Sequence, residues 1–142
     1  MTSVLDCSFC AALFLSHDKS GEVLRIFRTF DDSAEVLVPV CFWDEMTGLL
    51  SAALARGRLK HSDVLEIIRL LELYHFGTDV SFGADHTGRI LDLSQLYNLR
   101  PPVAVYLELA VRKNAALGTL NGALRAACVK AGVELLRDSK AG

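Results

Sequence analysis

The stretch V103-AVYLELAVRKNAALGTLNGALRAACVKAGVEL-L136 decides the fold class, because it changes period three times within a short span. Its first part reads as a helix over residues 102–113, opened by Pro101-Pro102, since proline is tolerated in a first helical turn. An apolar strand over 115–120 follows, then a helix over 122–131 and a final short strand over 133–136. Between strand and helix stands Asn121-Gly122, a common turn pair whose asparagine also makes a good helix N-cap. Strand ends that open into helices are where open parallel sheets keep their chemistry. Position 121 therefore bears on function as well as on fold.

The same alternation runs outward through the chain. Ser3–Leu5 reads as a strand leading directly into a helix over Ser8–Leu15. Val23, Leu24, Ile26, Phe27 and Phe30 mark a helix over Gly21–Phe30, and Glu35–Val38 reads as a strand closed by Pro39. An Ala- and Leu-rich helix over Val40–Arg56 stops at Gly57, and Ser62 is placed to cap a helix over Val64–His75. A strand over Asp79–Phe82 and a helix over Gly88–Tyr97 complete the series, residues 77–88 being the most ambiguous. Strands alternating with helices predict a mostly parallel sheet covered on both faces.

With 142 residues the chain is read as one domain over 1–136 with a tail over 137–142. Its composition, 51% apolar and 23% charged, is that of a globular protein. A net charge of −2 supplies no general attraction to nucleic acid or anionic membrane, so such contacts need a local patch. No run approaches the roughly 18 apolar residues of a membrane span. The start MTSVLDCSF lacks a basic n-region, so a cytoplasmic location is expected, with the four cysteines as reduced thiols.

The opening VLDCSF, the VPVCFWDEM around Glu45, and YLELA, LGTLN, ALRAA and AGV in that order resemble the PIN-domain family, in particular VapC-type toxin ribonucleases. The resemblance covers nearly the whole chain and is most specific in the C-terminal third. It implies a three-layer α/β/α domain with four carboxylates at the C-terminal edge of the sheet holding Mg²⁺ or Mn²⁺. Hard divalent cations need oxygen ligands and charge compensation, and a metal-bound water can attack a phosphodiester.

Carried over by position, the first acid is Asp6, with Ser8 beside it, and the second is Glu45. The third falls on Val103, which cannot bind a metal. The fourth falls on Asn121, whose amide oxygen can coordinate but brings no charge. Gly48 stands where the resemblance implies an asparagine one turn after Glu45. The implied metal set is thus Asp6, Glu45 and Asn121, and Mg²⁺ or Mn²⁺ is expected to be weakly held or absent. Catalysis by Asp6 and Glu45 is expected to be weakened or lost. The alternative is an active endoribonuclease using substitute ligands, with Asp92 or Glu108 as candidate acids.

Other readings stand beside these. Taken alone, Asn121 is an ordinary turn residue and Glu45 a solvated helix residue, with Asp44 about 100° away around the helix and exposed. Asp6 ends an apolar strand, a costly place for an unpaired charge. Cys7 and Cys10 form a C-x-x-C at a strand–helix junction, the pattern of a thiol redox pair, although Asp6 beside Cys7 would raise its pKa. His17, His61, His75 and His86, with Cys41 and Cys128, show no zinc spacing. Arg56, Arg58 and Lys60 form a local basic cluster suited to RNA or an acidic partner, or simply to a helix C-terminus. The resemblance also implies an antitoxin-like partner and a homodimer, for which Phe9–Leu15 and Val64–Leu73 offer apolar residues.

Overall fold

Val4 and Leu5 are fully buried and Ser3 nearly so, which makes the first strand the centre of the sheet rather than an edge. The computed structural model describes residues 1–15 and 17–139. In chain order the elements are β1 (Thr2–Leu5), α1 (Cys7–Phe14), α2 (Ser20–Phe27), β2 (Glu35–Pro39), α3 (Cys41–Ala55) and α4 (His61–Leu73). There follow β3 (Gly77–Asp79), α5 (Ala84–Leu96), α6 (Pro101–Lys113), β4 (Ala116–Gly118) and α7 (Gly122–Ala131). All strand pairs are parallel, in the order β3-β2-β1-β4, with Val4 opposite both Leu37 and Leu117. Parallel strands covered on both faces read as continuous apolar runs, which is how VL and VLVP appear in the sequence. The result is a three-layer α/β/α domain.

Several local readings are corrected. Residues 133–136 contribute only an isolated parallel bridge, Leu117 to Leu135, not a strand. The third strand lies at Gly77–Asp79, upstream of the apolar residues that suggested it, and Val80 and Phe82 are exposed at 66% and 89%. Helix α4 starts at His61, because the Asp63 carboxylate accepts the Lys60 backbone N–H at 2.7 Å. That back-bond leaves Ser62 inside the helix. Helix α5 starts at Ala84, directly after Gly83, whose φ of 107° favours glycine. Helix α2 ends at Phe27 rather than Phe30.

The first helix is not a free surface. Phe9, Cys10, Ala11 and Ala12 are buried within the domain, so the expected contribution of Phe9–Leu15 to a dimer is largely removed. Residues 137–139 continue along the domain, and Asp138 is buried with its carboxylate accepting from Arg25 Nε. Among the described residues no helix is long and apolar enough to cross a membrane.

Candidate active site at the carboxyl edge of the sheet

Strands β1 and β4 lie side by side, and each runs directly into a helix through a capping side chain. Asp6 follows β1 and caps α1: its Oδ1 accepts the Phe9 N–H at 2.9 Å and the Ser8 hydroxyl at 2.7 Å. Its Oδ2 accepts the hydroxyl of Thr119, which is itself fully buried. Asn121 follows β4 and caps α7, its Oδ1 accepting the Leu124 N–H at 3.0 Å. The two turns are laced together. Ser8 Oγ accepts the Leu120 N–H at 3.0 Å, and Thr119 Oγ1 accepts the Asn121 N–H at 3.0 Å.

Asp6 is only 6% exposed, and burial pushes its carboxyl above the ordinary range while the bonds from Thr119, Ser8 and Phe9 hold it down. Glu45 projects from α3, where its Oε1 accepts the Tyr106 hydroxyl at 3.1 Å. Glu45 is exposed as a residue, yet desolvation of its carboxyl raises its pKa; Tyr106 and the Cys41 thiol oppose this, and the charge of Asp6 adds to it. The two carboxylates therefore share one electrostatic neighbourhood. Tyr106 comes from α6, one turn after Val103, so the two belong to one side of that helix. Val103 is half-buried against the core.

Gly48 is exposed on α3, with open space around its Cα. Arg56, Arg58 and Lys60 are exposed along the connection from α3 to α4. Asp44 is exposed, as expected, and so is Asp92 on α5. Glu108, the other candidate substitute acid, is buried and engaged: Arg112 Nε donates to both its oxygens, at 2.9 and 3.0 Å. The same guanidinium grips Asp79 through its two terminal nitrogens, at 3.1 and 2.8 Å. Glu108 is thereby committed to joining α6, β3 and His86, whose Nδ1 lies 3.3 Å away.

The thiol reading is corrected. Cys7 donates to the Phe42 carbonyl and lies 4.0 Å from the Tyr106 hydroxyl. Burial first, then Glu45, pushes its thiol up to about 12. Cys10 is fully buried, and its thiol too is pushed well above the ordinary range, chiefly by burial. A redox pair needs an accessible, acidified thiol. These two are core residues with the opposite properties.

Mg²⁺ and Mn²⁺ are the ions that the donor set would have to hold. Such ions take about six oxygens, preferring carboxylates and water. Here Asp6 Oδ1 already accepts two hydrogen bonds, Asp6 Oδ2 and Asn121 Oδ1 each keep one lone pair, only Asp6 and Glu45 of these positions bring negative charge, and position 103 carries only methyl groups. Among the described residues no group of three or more His, Cys, Asp or Glu is arranged to hold a metal ion. These residues do not fit a tightly held divalent cation. Thr119 and Tyr106 are the site residues that the sequence reading missed. The only signals were a hydroxyl two positions before Asn121 and a tyrosine one turn after Val103.

Sheet order and the helices on both faces define a PIN-like α/β/α domain. Solved structures similar to it include a VapC toxin. The VapC20 toxin of Mycobacterium tuberculosis, described as cleaving the sarcin–ricin loop, superposes with a TM-score of 0.70 at 16% identity, covering 95% of this chain and 98% of that one. PAE2754 from Pyrobaculum aerophilum gives 0.64 at 19% identity, covering 89% and 79%. A chain of a toxin–antitoxin complex from Klebsiella pneumoniae gives 0.56 at 19%, covering 84% and 86%. At these identities the likeness is one of fold. No family model and no curated protein matches the chain.

Proposed function

We propose that this chain is a VapC-like PIN-domain protein of toxin–antitoxin type whose ribonuclease site has lost most or all of its catalytic power. One observation carries the reading. Of the four positions where the resemblance puts acids, Asp6 and Glu45 keep theirs, Val103 offers hydrocarbon, and Asn121 offers an amide already engaged as a helix cap. Losing two anionic ligands removes most of the local field that would concentrate a divalent cation and acidify its water. What the remaining residues do is positional: Asp6 pins β1 to β4 through Thr119, and Tyr106 holds Glu45. Binding of RNA or of an antitoxin-like protein outlives such a change, because neither requires the bond-breaking step. The structural likeness to a chain from a toxin–antitoxin complex and to an RNA-cleaving toxin supports both as partners.

The test is a gel assay on structured RNA with Mg²⁺ or Mn²⁺, alongside Mn²⁺ calorimetry. The unmodified protein should cut little and bind Mn²⁺ weakly, whereas Val103→Asp with Asn121→Asp should bind it more tightly and gain cleavage. Brisk cutting by the unmodified protein, abolished by Asp6→Asn, would instead establish an active nuclease with substitute ligands.

A further inference from the structure

Pro39 ends β2 and Asp79 ends β3, and beside these two strand ends the carboxyl edge of the sheet opens into a cavity of about 270 Å³. Its position ties it to the acidic site. Cys41 lines the cavity, and its thiol also hydrogen-bonds to Glu45, so a single residue stands between the two. The end of β1, where Asp6 sits, is two strands from that of β3, about 10 Å across the sheet. Val40, Val105 and Leu109 give the cavity apolar walls, while Asp44, Ser81 and His86 supply polar groups. Apolar walls with a few placed polar groups are the surroundings in which proteins hold small organic rings.

The loop above the cavity carries a second, independent observation. Ser81 lines the cavity and the next residue, Phe82, is 89% exposed. Phe82 takes no part in the ring contacts that join Phe27, Phe42, Trp43, Tyr74 and Phe76 among the described residues. A phenyl ring left in water at the same sheet edge as a candidate nuclease site is a surface on which an unstacked base can lie.

The polar groups choose among the bases. Asp44 is exposed, and among the described residues its carboxylate has neither a hydrogen bond nor an ion pair. Two adjacent acceptors match two adjacent donors, and of the four RNA bases only guanine presents these on its Watson–Crick edge, as N1–H and N2–H. Adenine and cytosine set one amino group beside an acceptor, and uracil sets one N–H between two acceptors. A carboxylate therefore takes guanine through two charge-assisted bonds and faces a lone pair on each of the others. Pairing would occupy that edge, so the base must come from a single-stranded segment. Exposed Arg89, three residues after His86 on α5, is placed to meet a flanking phosphate.

We propose that this cavity, together with Phe82, holds an unpaired guanine base of an RNA loop. Phe82 stacks on the base, Asp44 accepts from its N1–H and N2–H, and the attached backbone passes Cys41 toward the acidic site. The assignment rests on reading the chain as a relative of RNA-cleaving toxins, and not on whether its own site still cuts.

Fluorescence anisotropy of the full chain with a labelled RNA hairpin tests this, in EDTA so that cleavage cannot contribute. The hairpin carries one guanine in its loop and is compared with the same hairpin carrying adenine there and with a fully paired duplex. The guanine hairpin should bind about tenfold more tightly than either. Phe82→Ala and Phe82→Leu should each lose about tenfold in affinity, whereas Phe82→Trp, which keeps an aromatic face, should not. Asp44→Asn should erase the preference for guanine over adenine. Phe82 and Asp44 are exposed, so thermal melts of the variants should match the parent. Absence of RNA binding, equal binding of the three RNAs, a guanine preference that survives Asp44→Asn, or a Phe82→Ala effect confined to self-association in sedimentation would each overturn the assignment. None of these results bears on lost catalysis, which fails separately if the protein cuts RNA briskly with Mg²⁺.

Discussion

Replacing Arg112 by methionine tests whether Glu108 is structural rather than a substitute catalytic acid. Arg112 is the one cation bonded to two carboxylates among the described residues, and the Glu108 side chain is only 3% exposed. Methionine preserves much of the stem's packing but leaves Glu108 without its counter-charge and Asp79 without its bidentate partner. Removing one member of a buried pair costs about 3–5 kcal/mol, because the remaining charge is stranded in a poor solvent. At about 2–4 °C per kcal/mol for chains near this size, Arg112→Met should lower Tm by roughly 10 °C. Adding Glu108→Gln should recover at least half of the loss, since a neutral amide is far less costly to bury. Thermal melts of the parent, Arg112→Met and the double variant decide the matter. A loss under about 1 kcal/mol, or a double variant no better than Arg112→Met, would refute this account of the network.

Asp79 is held down to about 2, first by its hydrogen bonds from Arg112. A depressed folded-state pKa contributes stability that is fully present above the unfolded value near 3.8 and is lost as pH falls toward 2. Acid titration of stability should therefore lose on the order of 1 kcal/mol in that window, discounted for partial exposure, and Asp79→Asn should remove that component. Asp6→Ala takes away a helix cap and the acceptor for two hydroxyls, so urea unfolding should show a loss of about 2 kcal/mol or more. Asp6→Asn, which retains the cap, should stay within about 1 kcal/mol of the parent. At the other cap, Asn121→Ala should cost about 1 kcal/mol while Asn121→Asp leaves stability nearly unchanged.

The sheet was legible because parallel strands buried on both faces announce themselves as apolar runs closed by turn residues, as in the stretch ending at Pro39 and the one ending before Asn121. The edge strand was misplaced for the complementary reason. Its position is fixed by pairing of Leu37, Val38 and Pro39 with Gly77, Thr78 and Asp79, and by the grip of Arg112 on Asp79. None of this has local apolar periodicity, whereas the apolar Val80 and Phe82 lie outside the sheet. The start of α4 depended on a side chain turning back to Lys60, which a search for Ser or Thr caps overlooks. At the candidate site, positions 6, 45, 103 and 121 were assigned from the motifs around them. Thr119 and Tyr106 were missed because a hydroxyl's role is set by what lies across the fold, β4 against β1 and α6 against α3.

Asp6 and Asn121 each terminate a strand and begin a helix, and that dual employment bears on how such a site can change over time. Aspartate and asparagine are nearly equal as helix caps, so exchanging one for the other at position 121 leaves folding almost untouched while removing a negative charge. Selection on stability alone is blind to that exchange. Asp6 is tethered more tightly: both its oxygens accept, one of them from buried Thr119, so an amide there would turn a donor toward a hydroxyl that itself donates, and the exchange is the costlier of the two. A protein released from the demands of catalysis would shed first the acid whose architectural duty an uncharged residue can inherit. The acid bound into the interior would outlast the chemistry it once served.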